Sequence, residues 1–301
     1  MSPLTFNREY TSRKEPGMTV AIFGNTMKPS TLREVSHIIE FMHQHNVQII
    51  LSQELRQELK LREYPEYNES LLEQVSHIDF AISVGGDGTF LTTASHIGSN
   101  NIPIIGINCG HLGFLADVQT QEVDLILNQL LQGDYQIDER NLLSVTTSGD
   151  RRIVSPYALN EIAVMKQGLS SMISIDTYVN GEHLNTYEAD GLIVATPTGS
   201  TAYNLSVGGP LMMPQTKGIL LSPIATHSLY VRPLVIPDNW KIDLSIKSRN
   251  SNYLISVDGR SQVMADSNTL HIEKSTFTIK LIQIGNRSFL QSLKNKLNWG
   301  K

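Results

Sequence analysis

Ile78-Asp79-Phe80-Ala81-Ile82-Ser83-Val84-Gly85-Gly86-Asp87-Gly88-Thr89-Phe90-Leu91-Thr92-Thr93-Ala94-Ser95 is the stretch of this 301-residue chain whose reading decides the fold. Residues 78–84 are mostly apolar and read as a buried strand, and residues 90–95 read as the start of a helix. The glycines at the junction leave backbone N–H groups uncovered, so a phosphate can approach closely. The helix N-terminus behind them favours negative charge. Yet a carboxylate, Asp87, stands in the middle. A carboxylate beside a phosphate is repulsive unless a metal ion intervenes or the acid has a chemical task. The task at hand is to accept the proton of a hydroxyl that attacks phosphorus. The loop therefore points to phosphoryl transfer, with a plain glycine-rich turn as the structural alternative.

Outward from this loop, strand and helix alternate. Met18–Phe23, Val47–Leu51 and Ile102–Ile107 read as further strands. Leu32, Val35, Ile38, Ile39 and Met42 recur at helical spacing, Glu54–Glu63 reads as a polar helix, and Val123–Leu131 as another helix. The alternation predicts a parallel, helix-covered sheet over residues 18–140. Such sheets bind ligands at the carboxyl ends of their strands, where Gly85–Thr89 lies.

After about Asp134 short β-rich runs follow one another. Asn180-Gly181 and Asp258-Gly259 carry hairpin signatures. An antiparallel β domain is expected over 141–270, followed at 271–301 by a strand and an amphipathic helix, Phe289–Leu297, returning to the first domain. Residues 1–17 are polar, lack an apolar signal-peptide core and are expected to form a loose tail.

The second half has its own dense segment, Ala189-Asp190-Gly191-Leu192-Ile193-Val194-Ala195-Thr196-Pro197-Thr198-Gly199-Ser200-Thr201-Ala202-Tyr203-Asn204-Leu205-Ser206-Val207-Gly208-Gly209-Pro210. A buried strand ends in a cluster of small hydroxyl residues and a tyrosine. Small residues let a ligand lie against the backbone, and Tyr203 offers a flat face for a base. A hydroxyl-rich turn is the commoner meaning of such composition, but its length and density favour a binding loop. Asn160-Glu161 sets a carboxamide beside a carboxylate, a pair suited to vicinal ribose hydroxyls; a polar strand edge is the alternative.

The net charge of −5 and the lack of a basic run argue against a general nucleic-acid role. Cys109 is the only cysteine, so an intramolecular disulfide and a cysteine-built zinc cluster are excluded and a reducing, cytoplasmic setting is expected. No stretch is long and apolar enough to span a membrane as a helix, and no membrane partner is expected. The P-loop motif, the Gly-x-Gly-x-x-Gly dinucleotide fingerprint and the protein-kinase signatures are all missing. The histidines show no metal-ligand spacing; His111 and His227, near the two dense segments, read as core or polar-edge residues.

Together these motifs resemble the NAD kinase family, from roughly Met18 to the last helix. The resemblance rests on Gly85–Thr89, Asn108-Cys109-Gly110-His111-Leu112-Gly113-Phe114-Leu115, Leu159-Asn160-Glu161 and the block from Asp190 to Pro210. The first loop alone is shared with diacylglycerol and sphingosine kinase-like enzymes, whereas the Asp190–Pro210 block is far more specific. The resemblance implies an α/β domain with a parallel sheet followed by an all-β domain. It also implies ATP-dependent phosphorylation of the adenosine ribose 2′-hydroxyl of NAD, with Mg2+ bridging the ATP phosphates. By resemblance Asp87 is the base or orients the hydroxyl, and Gly88 lines the same spot. Asn160 and Glu161 hold ribose hydroxyls, and Thr201, Ala202, Tyr203 and Ser206 line the dinucleotide site. Asp190, from a neighbouring subunit, and Ala225 meet the nicotinamide end. Gly85, Gly86, Gly88 and Thr89 face the ATP phosphates. A homo-oligomer is expected, a tetramer built from dimers, because Gly218–Ile224 and Val231–Ile236 supply more apolar strand than one sheet face needs. One departure stands out: many relatives carry a basic residue two positions before Asp190, where this chain has Glu188, and a carboxylate cannot make the same phosphate contact. Two alternatives stay open, a lipid kinase and a non-enzymatic NADP-binding module, as does polyphosphate in place of ATP.

Overall fold

The structure, a computed structural model, describes residues 17–68, 77–110, 113–149, 151–168, 172–285 and 288–298. His111, Leu112 and nearly all of the tail expected over 1–17 lie outside the described residues. The first half runs β1 (Thr19–Gly24), α1 (Pro29–Gln44), β2 (Gln48–Leu51), α2 (Gln53–Glu58), β3 (Phe80–Gly85), α3 (Asp87–Ile97), β4 (Ile104–Asn108), β5 (Val118–Gln119) and α4 (Val123–Gln132). Strands β4-β3-β1-β2 lie side by side and parallel. The first helix starts on Pro29, whose fixed φ suits a first turn, and buries Val35, Ile38, Ile39 and Met42 at the spacing the sequence shows. The polar helix expected to reach Glu63 stops at Glu58. Lys60 turns into the left-handed region, and Arg56 holds the next segment as a loop by donating to the carbonyls of Arg62 and Tyr64.

The second half runs β6 (Gln136–Thr147), β7 (Tyr157–Ala158), β8 (Glu161–Lys166), β9 (Ile173–Val179), β10 (Glu182–Ala189), β11 (Gly191–Ala195), α5 (Tyr203–Ser206), β12 (Gly218–Ile224), β13 (Leu234–Pro237), β14 (Ile242–Lys247), β15 (Asn252–Val257), β16 (Arg260–Ala265), β17 (Thr269–Gln283) and α6 (Phe289–Leu297). Strands β13-β12-β11-β8-β15-β16 form one antiparallel sheet. Both dipeptide turns appear as read: Asn180 and Gly181 join β9 to β10, Asp258 and Gly259 join β15 to β16, and all four have positive φ.

The long strand β17 ties the halves together. Its start pairs with β14, its end lies parallel to β4 with Leu281 beside Ile104, and β6 runs antiparallel along it. The parallel sheet therefore continues into the antiparallel strands as one eleven-stranded sheet. The antiparallel part packs on the six-stranded sheet through a core including Val145, Ile175, Leu244 and Ile272 on one side and Ile162, Leu192, Leu221 and Ile255 on the other. This two-layer burial corrects one expectation. Gly218–Ile224 needs no partner chain: Ile219 and Leu221 face the inter-sheet core, and Leu220 packs with Ala163, Ile193 and Ala195 beneath Val207 and Met212. Val231–Ile236 is covered only in part: Ile236 is buried, Leu234 and Val235 of edge strand β13 stay exposed, and so do Leu229 and Tyr230 before it, at 81% and 92%. Among the described residues no helix is long and apolar enough to cross a membrane.

Candidate active site

The glycine loop sits where the strand pattern puts it, at the carboxyl end of β3, and Asp87 is the first residue of α3. Side chains built on Gly86 or Gly88 would meet nothing within 4 Å, so both face open space that a ligand can fill. Thr89 instead folds its side chain back over Gly85.

The Asp87 carboxylate is held by the backbone of another loop. Oδ2 accepts the Phe114 N–H at 2.7 Å, and Oδ1 accepts the N–H groups of Leu115 and Ala116, each at 2.9 Å. A carboxylate has about four acceptor positions, so Oδ2 keeps capacity for one more donor. The clasping loop is shaped by its own sequence. Asn108 donates from Nδ2 to the Ala116 carbonyl at 3.1 Å and accepts the Gly110 N–H at 2.7 Å. Any Cβ at Gly113 would collide with Asp87 Oδ1, so only glycine lets the loop close on the carboxylate.

The second constellation is built around Asp258, in the hairpin turn that the sequence marks only as a turn. Its buried carboxylate accepts the backbone N–H groups of Leu159, Asn160 and Glu161 at 2.8, 2.8 and 3.1 Å. Burial pushes this carboxyl above its ordinary range, against the amides and Arg260 that favour the charged form. Glu161, 8% exposed, is pushed up to about 7, first by burial, then by Asp258, while the Tyr203 backbone N–H acts in the opposite sense. Its Oε2 is buried without a hydrogen-bond partner among the described residues. Thr196 joins the next segment on: its N–H donates to the Asn160 carbonyl and its hydroxyl to the Leu159 carbonyl. Gly199 lies so close to the Asn160 carbonyl that any side chain would clash.

The turn that follows β11 is a structured loop. Asn204, fully buried, donates to the carbonyls of Ser200 and Pro210 and accepts the Ser222 hydroxyl at 2.6 Å. The Thr201 hydroxyl donates to the Thr198 carbonyl. Behind it the buried Arg140 grips Asp138 at 2.6 Å and Thr198 at 3.3 Å. On the outer side Tyr203 is 37% exposed, its hydroxyl making a long 3.9 Å contact to Met165 Sδ, and Ser206 is exposed.

The two constellations meet. Leu159, next to Asn160, packs in one hydrophobic cluster with Leu115, from the loop that clasps Asp87, and Phe90, from the helix Asp87 begins. Asp190 and Ala225 lie elsewhere. Gly191 pairs with Ile224 at one end of β11, while Ala195 pairs with Glu161 at the other, roughly 14 Å of strand away. Asp190 is bound to Lys166 of its own chain at 2.7 Å, and Ala225 adopts φ 45°, uncommon for a residue with a Cβ. Glu188 is exposed, and its carbonyl accepts the His227 N–H. Among the described residues no group of three or more His, Cys, Asp or Glu is placed to hold a metal ion. The site thus combines an open glycine loop, a positioned carboxylate and a structured loop that presents Tyr203: apparatus for orienting a hydroxyl against a phosphate.

Comparison with known proteins gives a consistent result. Residues 20–135 match the family model described as the ATP-NAD kinase N-terminal domain, and residues 159–284 match the ATP-NAD kinase C-terminal domain. The chain is 43% identical over 285 residues to an NAD kinase of Bacteroides fragilis, covering 94% of this chain and 98% of that one. It is 40% identical over 292 residues to an NAD kinase of Flavobacterium psychrophilum, covering 94% and 99%. Yeast NADH kinase in complex with NADH superposes with a TM-score of 0.84 at 25% identity, covering 96% of this chain and 89% of that one. An NAD kinase from Archaeoglobus fulgidus in complex with ATP superposes with a TM-score of 0.73 at 26% identity, covering 93% and 99%.

Proposed function

This chain belongs to the NAD kinase family of phosphotransferases, and from that premise we propose that it moves the γ-phosphoryl group of ATP to the 2′-hydroxyl of the adenosine ribose of NAD, giving NADP. The carrying observation is Asp87: a carboxylate fixed by the amides of Phe114, Leu115 and Ala116 inside a glycine loop whose Gly86 and Gly88 face open space. Oδ2, with one acceptor position to spare, takes the hydrogen bond of the ribose hydroxyl and receives its proton as the oxygen–phosphorus bond forms and ADP departs. General-base catalysis contributes roughly 100- to 10,000-fold, and positioning by the two halves supplies much of the rest. Phosphoryl transfer asks little else of a protein than alignment and charge neutralisation.

In this reading Gly85, Gly86, Gly88 and Thr89 lie at the donor phosphates. Asn160 and the unsatisfied Oε2 of Glu161 receive ribose hydroxyls. Thr201, Ala202, Tyr203 and Ser206 line the dinucleotide groove. Asp190 and Ala225, a strand length from Glu161, meet the nicotinamide end, Asp190 in a neighbour's site. Mg2+ would enter with the ATP and would neutralise phosphate charge as the phosphoryl group moves. The assembly is a tetramer built from dimers, for which the exposed Leu229 and Tyr230 supply apolar surface, and the reaction takes place in the cytoplasm. The lipid-kinase and non-enzymatic alternatives are not favoured by the relatives.

The test is NADP formation by the purified protein, with ATP or polyphosphate as donor and NAD or NADH as acceptor. NADP appearing with ATP and NAD is the expected result. No phosphorylated dinucleotide with any pair would overturn the proposal. The NADH arm reports whether Glu188 alters the acceptor preference.

A further inference from the structure

The last helix, α6, brings a cation to the Asp87 loop. Ser288 caps it by accepting the Gln291 N–H, and Phe289, Leu293 and Lys296 fall on one face at i, i+4 and i+7. Leu293 is buried, and the Phe289 ring lies 6.0 Å from that of Phe114. One turn further on, Lys296 places Nζ 3.8 Å from the centre of the Phe114 ring. Phe114 is the residue whose N–H holds Asp87 Oδ2. Lys296 thus reaches the catalytic carboxylate's own clasp from the far end of the chain.

This ammonium is in an unusual state. Nζ is buried and has no hydrogen-bond partner among the described residues, although it carries three donors. An aromatic face and nearby carboxylates compensate such a charge only in part, and a buried cation without acceptors is unfavourable. The donors call for an anion beyond those the described residues supply. The chemistry proposed for the loop needs such a cation: negative charge spreads over the oxygens of the moving phosphoryl group, right beside the negative Asp87, and Gly85–Thr89 contains no basic residue.

We propose that Lys296 is a catalytic residue that contacts the transferred phosphoryl group and neutralises its charge against Asp87. This rests on the phosphotransfer reading given above. The groups facing Lys296 are Asp87 and Asp117, both of which favour its charged form; burial outweighs them and pulls its proton affinity down to about 8. Turnover should therefore fall as pH rises through about 8, while the ammonium loses its proton.

Lys296→Met keeps the length of the side chain and removes the charge; Lys296→Arg keeps the charge. Removing one preorganised donor costs about 100- to 1,000-fold in kcat. The expected result is a loss of that size in Lys296→Met, with calorimetric NAD affinity and melting temperature close to wild type. Lys296→Arg should retain most of the turnover and lose the alkaline fall, because a guanidinium stays charged. Near wild-type kcat in Lys296→Met would overturn the proposal. So would an alkaline limb unchanged in Lys296→Arg, which also decides the matter should Lys296→Met fail to fold. A wild-type protein that makes no NADP defeats the phosphotransfer reading instead. The Lys296 contact is then judged on binding of inorganic tripolyphosphate: at least about tenfold weaker binding by Lys296→Met supports it, and equal binding refutes it.

Discussion

Gly113 sets where the Asp87 carboxylate can lie, because any Cβ there collides with Oδ1. Gly113→Ala must push the carboxylate or its clasping loop aside without touching the dinucleotide groove. Misplacement of a reacting group by about 1 Å can cost about 100-fold. Steady-state kinetics should show a kcat loss of that order with NAD affinity near wild type. Equal kcat would mean that the clasp does not position the base. Glu161 makes a prediction about pH. In the free protein its carboxyl, raised to about 7, is about half protonated at neutral pH. Ribose hydroxyls donate more strongly to the ionised form, so NAD binding draws the carboxyl into that form and releases a proton. Calorimetry should show NAD affinity rising from pH 6 to pH 8 and levelling above it, with proton release on binding. Glu161→Gln should bind more weakly and lose the slope; a wild-type affinity independent of pH would refute the assignment.

The loop after β11 behaves as an element in its own right. Its inner side is fixed by Asn204, Thr196 and Arg140, and its outer side presents Tyr203. Because the Tyr203 side chain is 37% exposed and its hydroxyl makes only a weak 3.9 Å contact to Met165 among the described residues, Tyr203→Ala should scarcely alter the melting temperature. Base–aromatic stacking is worth about 1–3 kcal/mol in single-stranded nucleic-acid complexes. On that scale NAD affinity should fall roughly 5- to 150-fold, with ATP use less affected. An unchanged NAD affinity by calorimetry would place the ring outside the groove. What was legible in the sequence tracks how local the cause is. The strands around the glycine loop, the helix Phe289–Leu297 and the turns at Asn180 and Asp258 declare themselves because apolar period and left-handed turn residues act over a few positions. The clasp on Asp87 does not, because its donors are backbone amides of Phe114–Ala116, and an amide looks alike in every sequence. The second task of Asp258, holding three amides about a hundred positions upstream, is hidden for the same reason. Lys296 carries no local signal either, since its meaning comes from the aromatic ring it reaches.

At the scale of the whole molecule, β6 and β17 make the two halves one sheet, and Leu159, in one cluster with Leu115 and Phe90, joins the Asn160–Glu161 segment to the loop that clasps Asp87. What one chain leaves apart is the Asp190 end, a strand length from Glu161 and paired with Lys166. If Asp190 serves a neighbour, co-expressed Asp87→Asn and Asp190→Ala chains should recover activity that neither has alone, because some mixed sites inherit both intact residues. A monomer with full activity by light scattering at assay concentration would end the shared-site proposal. The union of loop and groove into a single transfer site is tested most directly by Asp87→Asn, measured for kcat with ATP and NAD and for NAD affinity by calorimetry. Asparagine keeps the size of the side chain but cannot take the hydroxyl proton, so kcat should drop by at least about 100-fold while NAD affinity stays within a few-fold of wild type. Turnover close to wild type with intact binding would contradict the assignment of Asp87 as the base.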